Sequence, residues 1–133
     1  MREIKFKAII IGNETIITPP IDWTDFENKT CGWTTYHEGT GEFEEHEAYY
    51  ERLLQYTGHK DINKKEIYEG DILKRKVIYE DPFTNEKNEI IEMGYVKYIE
   101  NDCCFKVIDE KNGTLHSIKN NFKIIGNIYE DYK

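Results

Sequence analysis

Apolar and polar positions alternate near the start of the chain. Ile4, Phe6, Ala8 and Ile10 are interleaved with Lys5 and Lys7. A period of two predicts a strand with one wet face. Gly12-Asn13 follows, then Thr15-Ile16-Ile17. Gly-Asn supplies the positive φ of a tight turn, so residues 3–18 predict a β-hairpin. Pro19-Pro20 ends it. Residues 21–41 are rich in Thr, Gly, Trp and Asp and predict loops and short strands. Between residues 42 and 55 the pattern is ambiguous. Phe43, Glu47, Tyr50 and Leu54 fall at helical spacing among good helix formers, on a thin apolar stripe. That spacing slightly favours a short helix over a strand, broken at Tyr56-Thr57-Gly58.

The pattern is more regular after Gly58. Gly70-Asp71 separates Ile67-Tyr68 from Ile72-Leu73 and predicts a turn or bulge that aims a new strand. Strands are predicted over residues 71–79 and 89–99, with the polar loop Asp81-Pro82-Phe83-Thr84-Asn85 between them. Gly94 marks a bulge or bend in the second. Asn101-Asp102 turns into a strand over 103–108, and Lys111-Asn112-Gly113 is a hairpin signal before 114–118. Residues 119–122 suit a single helical turn, and 123–129 a last strand. Five short strands with tight turns predict a small, strongly bent barrel of SH3-like type.

The fold class is therefore mostly β, in two parts. Residues 1–54 form a hairpin plus irregular acidic material, and residues 55–133 form the SH3-like barrel. Ile4, Phe6, Ile10, Ile67, Ile72, Val96, Phe105, Val107, Phe122, Ile124 and Ile128 are expected in the core. No apolar run approaches the length of a membrane span. The N-terminus lacks a signal-peptide core, so a cytoplasmic protein is expected.

Charge changes this picture. The net charge is −8, and residues 22–51 carry it, with nine acids against the single base Lys29. The remaining residues balance 17 acids with 17 bases. That one segment repels phosphates, while the rest is neutral towards them. The three cysteines, Cys31, Cys103 and Cys104, read as reduced, partly buried thiols. The last two would point to opposite faces of one strand.

Two blocks carry a resemblance. One is QYTGHKDINKKEIYEGDIL, residues 55–73, and the other is IGNIYED, residues 125–131. With the opening MREIKFKA, in this order and spacing, the chain resembles the YopX family of small phage and prophage proteins. The resemblance implies a mostly β protein from a family without an established activity, in the cytoplasm of a bacterial host. Where that family usually reads Asp-x-Asn-Gly, this chain has Asp61-Ile62-Asn63-Lys64. The missing glycine puts a tight turn with positive φ in question, although Asn63 can adopt it. Physically the block reads as architecture. Gln55, Tyr56, Thr57, Gly58, Asp61, Tyr68, Gly70, Asp71, Gly126 and Asn127 are turn formers, capping acceptors and amphipathic rings.

Candidate chemistry is sparse. Cys31, His37, His46 and His59 lack the spacing of a zinc site. Lys106 and His116 could approach Cys104, but a small buried thiol is the default reading. Glu44 and Glu45 lie in a run of acids with nothing to raise one pKa selectively. No glycine-rich phosphate loop occurs. No enzyme and no cofactor are therefore expected.

Two binding surfaces remain. Lys60, Lys64, Lys65, Lys74, Arg75 and Lys76, with nearby tyrosines, suit a nucleic-acid patch, but interspersed acids make it a mixed-charge surface. The preferred reading is protein contact. Trp23, Asp25, Phe26, Trp33, Tyr36, Glu42, Glu44, Glu45 and Glu47 combine aromatic anchors with steering charge. A non-catalytic accessory protein that contacts a host or phage protein is expected. Exposed strand edges make a homo-oligomer plausible.

Overall fold

The computed structural model describes residues 4–12, 14–119 and 121–130. The chain is almost entirely β, in curled antiparallel sheets. Among the described residues the sole helical element is a 3₁₀ turn at Glu100–Asp102. Two compact units result. One runs as far as Tyr56 and takes back Tyr129, and the other is Thr57–Ile128.

In the first unit, β1 (Phe6–Ile11) and β2 (Thr15–Ile17) form the predicted hairpin, with Ile9 opposite Ile17 and Ile11 opposite Thr15. Asn13 of its turn lies outside the described residues. Thr18 extends the pairing, its hydroxyl accepting the Ala8 N–H at 2.9 Å and donating to the Pro19 carbonyl at 2.7 Å. The other edge of β1 takes the first half of β6 (Arg52–Lys60), with Phe6 opposite Gln55. Ala8 and Ile9 are both buried, so both faces are covered at mid-strand. Ile4 was expected in the core, yet it is 75% exposed. It precedes the first residue of β1, where no strand among the described residues pairs beside it.

Three further strands form a separate meander, β3 (Trp23–Asp25), β4 (Thr30–His37) and β5 (Glu42–Tyr49). The expected helix over residues 42–55 is absent. Thr30 to His37 pair residue by residue with Tyr49 to Glu42, and Tyr50-Glu51 separates β5 from β6. The helical spacing was a coincidence of four residues. The continuous cross-strand ladder gives the backbone its partners, and tertiary context overrides weak propensity.

In the second unit, the second half of β6 borders β7 (Glu66–Tyr68). A five-stranded sheet follows, of β8 (Asp71–Glu80), β9 (Lys87–Ile99), β10 (Cys104–Asp109), β11 (Thr114–Ser117) and β12 (Lys123–Asn127). Its order is β11-β10-β9-β8-β12, and it curls into a half-barrel. Inside sit Ile67, Leu73, Val96, Phe105, Val107, Ile118 and Phe122, with Ile124 packed against them. Five of the expected core residues are in this cluster. Phe6, Ile10, Ile72, Ile124 and Ile128 are half-buried.

Gly94 makes the curl possible. A Cβ there would come within 2.2 Å of the Ile108 carbonyl oxygen, so this glycine permits one strand to pass close over another. The β8–β9 register runs through it unbroken, which makes it a point of close approach rather than a bulge. Cys103 stands outside β10 in a left-handed turn, φ 51°, and is exposed. The two adjacent cysteines therefore do not share a strand. The Phe122 N–H donates to the Lys119 carbonyl at 3.4 Å. The helical turn predicted there includes Asn120, which is outside the described residues.

Candidate interaction surfaces

The central block, residues 55–73, is built into the scaffold. Asp61 opens a turn in which its Oδ1 accepts the N–H groups of Asn63 (2.8 Å) and Lys65 (2.9 Å). Its Oδ2 accepts the Ile124 N–H at 3.1 Å, tying the turn to β12. Burial raises the Asp61 pKa, but these three donors, with the Lys65 charge, outweigh it and hold the carboxyl below its ordinary value. Lys64 itself adopts the left-handed conformation, φ 65°. The turn thus survives without glycine, and at residue 64 rather than Asn63. Asp71 accepts the Tyr68 N–H at 2.8 Å and the Asn127 side-chain amide at 3.0 Å. Gly70 (φ 87°) donates to the Val96 carbonyl and accepts from the Ile128 N–H, each at 2.9 Å. The Thr57 hydroxyl donates to the Ile67 carbonyl at 2.8 Å and accepts the His59 N–H at 3.1 Å. Tyr56 and Tyr68 are buried. These side chains are consumed by the fold.

The acidic residues are arranged differently. Residues opposite each other in the β4–β5 ladder share a face, so the meander has two distinct sides. On one side Trp33 stacks on His46 at 5.2 Å, and the Thr35 hydroxyl lies 2.9 Å from His46 Nε2. Glu44 lies between His37 (2.8 Å) and His46 (3.9 Å). The His37 hydrogen bond and the nearby His46 hold the Glu44 carboxyl below its ordinary value. Glu42 is also on this side, opposite His37.

On the other side Trp23 lies over Gly32, where a Cβ would meet the indole at 2.2 Å. Glu45 and Glu47 lie on the same side, and Asp22 accepts the Thr34 hydroxyl at 2.7 Å. Asp22, Trp23, Thr34, Glu45 and Glu47, with Trp33 and His46, line an open groove. The Tyr36 and Phe43 rings meet at 5.0 Å, tilted by 48°, towards the hairpin end, both exposed.

The predicted interaction patch is therefore split. By register Trp23, Tyr36, Glu45 and Glu47 share one face, whereas Trp33, Glu42 and Glu44 belong to the other, although Trp33 also borders the groove. Asp25 is engaged by its own loop. The Asn28 side chain and the Asn28 and Glu27 N–H groups bond its carboxylate and lower its pKa. Phe26 is exposed in that loop. Phe43 and Tyr49 were missed. Their exposure follows from the period-two pattern Phe43, Glu45, Glu47, Tyr49, which the helical reading hid.

A sequence model of one protein family, described as YopX protein, matches residues 13–133. The chain belongs to the YopX family. No curated protein matches it. Within the blocks that carried the resemblance to YopX, Asp61, Gly70 and Asp71 close turns of the second unit. The acidic meander of this YopX chain lies inside the matched span, yet the carboxylates of Glu42, Glu44, Glu45 and Glu47 face solvent.

The basic candidates divide as well. Lys74 and Lys76 are exposed on one face of β8, and Lys123, opposite Lys74, adds a third ammonium that sequence reading missed. These three, with Ile62, Arg75, Asn121 and Ile125, line a shallow groove. Lys60, Lys64 and Lys65 are exposed but do not line it. Arg75 points the other way. It pairs with Glu92 and lies 4.3 Å over the Phe122 ring, so its charge is already matched.

The other reactive groups are likewise occupied. Burial pushes the Cys31 thiol up, away from the reactive thiolate. Lys106 bonds Asp102 at 2.8 Å, and His116 sits 3.8 Å from both Glu92 and Asp109. Among the described residues, no group of three His, Cys, Asp or Glu side chains is placed to hold a metal ion. No helix among them is long and apolar enough to cross a membrane.

Proposed function

We infer that this YopX-family chain is a non-catalytic accessory protein that works by contact, in a phage or prophage setting within the bacterial cytoplasm. Its working surface is the Trp23 side of the meander, and its partner is a protein with a basic, partly apolar patch. One observation carries this reading. Trp23, 45% exposed, stands beside the carboxylates of Asp22, Glu45 and Glu47 in an open groove whose lining holds no lysine or arginine. A half-exposed indole gives anchoring area, and unpaired acids around it accelerate encounter with a cation-rich surface. The test is capture from host lysate with the wild-type chain and with Glu45→Lys/Glu47→Lys. Both positions are solvent-exposed, so the fold should be retained. Loss of a salt-sensitive partner supports the reading, and an unchanged set of partners ends it.

A second reading, single-stranded nucleic acid on the second unit, is favoured by the convergence of Lys74, Lys76 and Lys123. Fluorescence anisotropy with DNA and RNA at low and moderate salt decides it. Salt-dependent binding that weakens on Lys74→Ala/Lys76→Ala supports it, and no binding at low salt removes it.

A further inference from the structure

The edge of β8 is half used. β12 pairs with it from Asp71 to Lys74 and no further. From Arg75 to Glu80 the strand is bonded to β9 alone, and among the described residues nothing pairs its outer edge. Natural edge strands are usually kept short, bulged, interrupted by proline or made charged, and the charges here are Arg75, Lys76 and Glu80. This one is regular, lacks proline and glycine, and carries Val77, Ile78 and Tyr79. The β8–β9 arm beyond Lys74 is a two-stranded ribbon with exposed apolar side chains on both faces. Ile78 (64%) and Ile91 lie on one face, and Tyr79 and Ile90 on the other. A two-stranded ribbon is marginal in water unless another strand or layer covers it.

We propose that β8 pairs antiparallel with β8 of a second copy about a two-fold axis at Ile78. A two-fold edge-to-edge ladder keeps each face continuous, so opposed residues must have the same strand parity. Centring on Ile78 sets Lys76 opposite Glu80 of the second copy, twice by symmetry, and Ile78 opposite its counterpart. Val77 faces Tyr79. Centring on Lys76 would drive the second strand into the place β12 occupies beside Lys74. Centring on Glu80 would face like charges.

An independent feature agrees with this register. The second strand leaves the ladder opposite Arg75, one residue short of Lys74, where β12 takes up the edge. Its chain turns there, at Asp81, into a loop closed by Asn85 (φ 58°). That loop carries Phe83, 95% exposed, and residues 80–86 hold Glu80, Asp81 and Glu86 with no base. It arrives beside the groove with Lys74, Lys76 and Lys123 on its walls and Ile62 and Ile125 exposed within it. An acidic loop with one free aromatic ring complements a basic groove with an apolar floor. The dimer therefore fills that groove with a second copy of this chain.

The test is sedimentation velocity on the full chain from micromolar to submillimolar concentration, with circular dichroism to verify folding. The wild type should dimerise. Lys76→Glu and Glu80→Lys should each weaken the dimer about tenfold, since two attractive cross-strand pairs become repulsive. The two single variants, mixed in equal amounts, should form a heterodimer, and the double variant should recover self-association. Ile78→Lys should abolish it without unfolding the chain. A wild type that stays monomeric throughout overturns the proposal. So does a dimer indifferent to Ile78→Lys, or one that the charge swap fails to restore.

Discussion

The half-barrel and the meander are both antiparallel β-structure, yet different forces hold them. In the half-barrel, seven apolar side chains are buried in one cluster. Its turns are fastened by carboxylates and hydroxyls that the fold consumes. In the meander the backbone ladder carries most of the order. Outside Cys31 and Gly32, both faces of β4 and β5 are at least partly solvated. Cross-strand pairs such as Trp33–His46 and Tyr36–Phe43 add about 0.2–1 kcal/mol each. Stability is thus concentrated where the family blocks lie. The solvent-facing side chains of the meander are freer to follow a partner.

The largest effect that tests this contrast comes from two phenylalanines. Phe122 is fully buried and forms the platform for Arg75. Phe122→Ala should destabilise by about 3–5 kcal/mol, the range for deleting a core aromatic ring. Phe43 is 72% exposed and touches mainly Tyr36. Phe43→Ala should cost less than about 1 kcal/mol. Urea denaturation of both variants measures the difference. Equal losses would mean that the meander has a core of its own.

Asp61 and Asp25 make the next comparison, because both accept backbone N–H groups in turns. Asp61 is buried and takes three of them, one from a strand 63 residues away in the chain. Asp61→Ala should cost about 3 kcal/mol, since each orphaned donor loses roughly 1 kcal/mol. The effect depends on pH with a definite sign. The folded-state pKa of Asp61 is depressed. Its contribution is therefore complete above the unfolded carboxyl value and fades as pH falls through the lower folded value. The gap between wild type and Asp61→Ala should narrow in acid and be constant near neutrality. Asp25→Ala, at the end of β3 with its carboxylate bonded only within the turn that follows, should leave global unfolding nearly unchanged.

Where each region was legible in the sequence follows from the same contrast. Burying one face of a strand imposes strict alternation, and the half-barrel strands were readable to within a few residues. Val96, Phe105 and Val107 were placed in the core on that pattern alone. The turns at Gly70 and Gly113 were legible because positive φ needs particular residues. The meander buries little, so no strict pattern was imposed on it. Glutamates and alanine in β5 imitated a helix, and the division of the acidic patch between two faces was invisible until strand replaced helix there. Lys123 was missed for another reason. Its approach to Lys74 depends on the closing strand's register, which no local signal reports.

The smallest effect is the most discriminating. Two lysines adopt left-handed backbone conformations, Lys64 (φ 65°) in the Asp61 turn and Lys29 (φ 54°) in the β3–β4 turn. A left-handed non-glycine residue costs roughly 1–2 kcal/mol, and glycine removes that strain but returns part of the gain as unfolded-state entropy. Lys64→Gly should therefore raise global stability by about 0.5–1 kcal/mol. Lys29→Gly relieves the same strain. In a meander that opens before the half-barrel, that gain should appear as slower amide exchange of β3 to β5, with the global midpoint unmoved. Should Lys29→Gly shift the urea midpoint as far as Lys64→Gly does, the two regions unfold together. The meander would then be part of the scaffold, and its acidic groove would owe its shape to the stability of the whole chain.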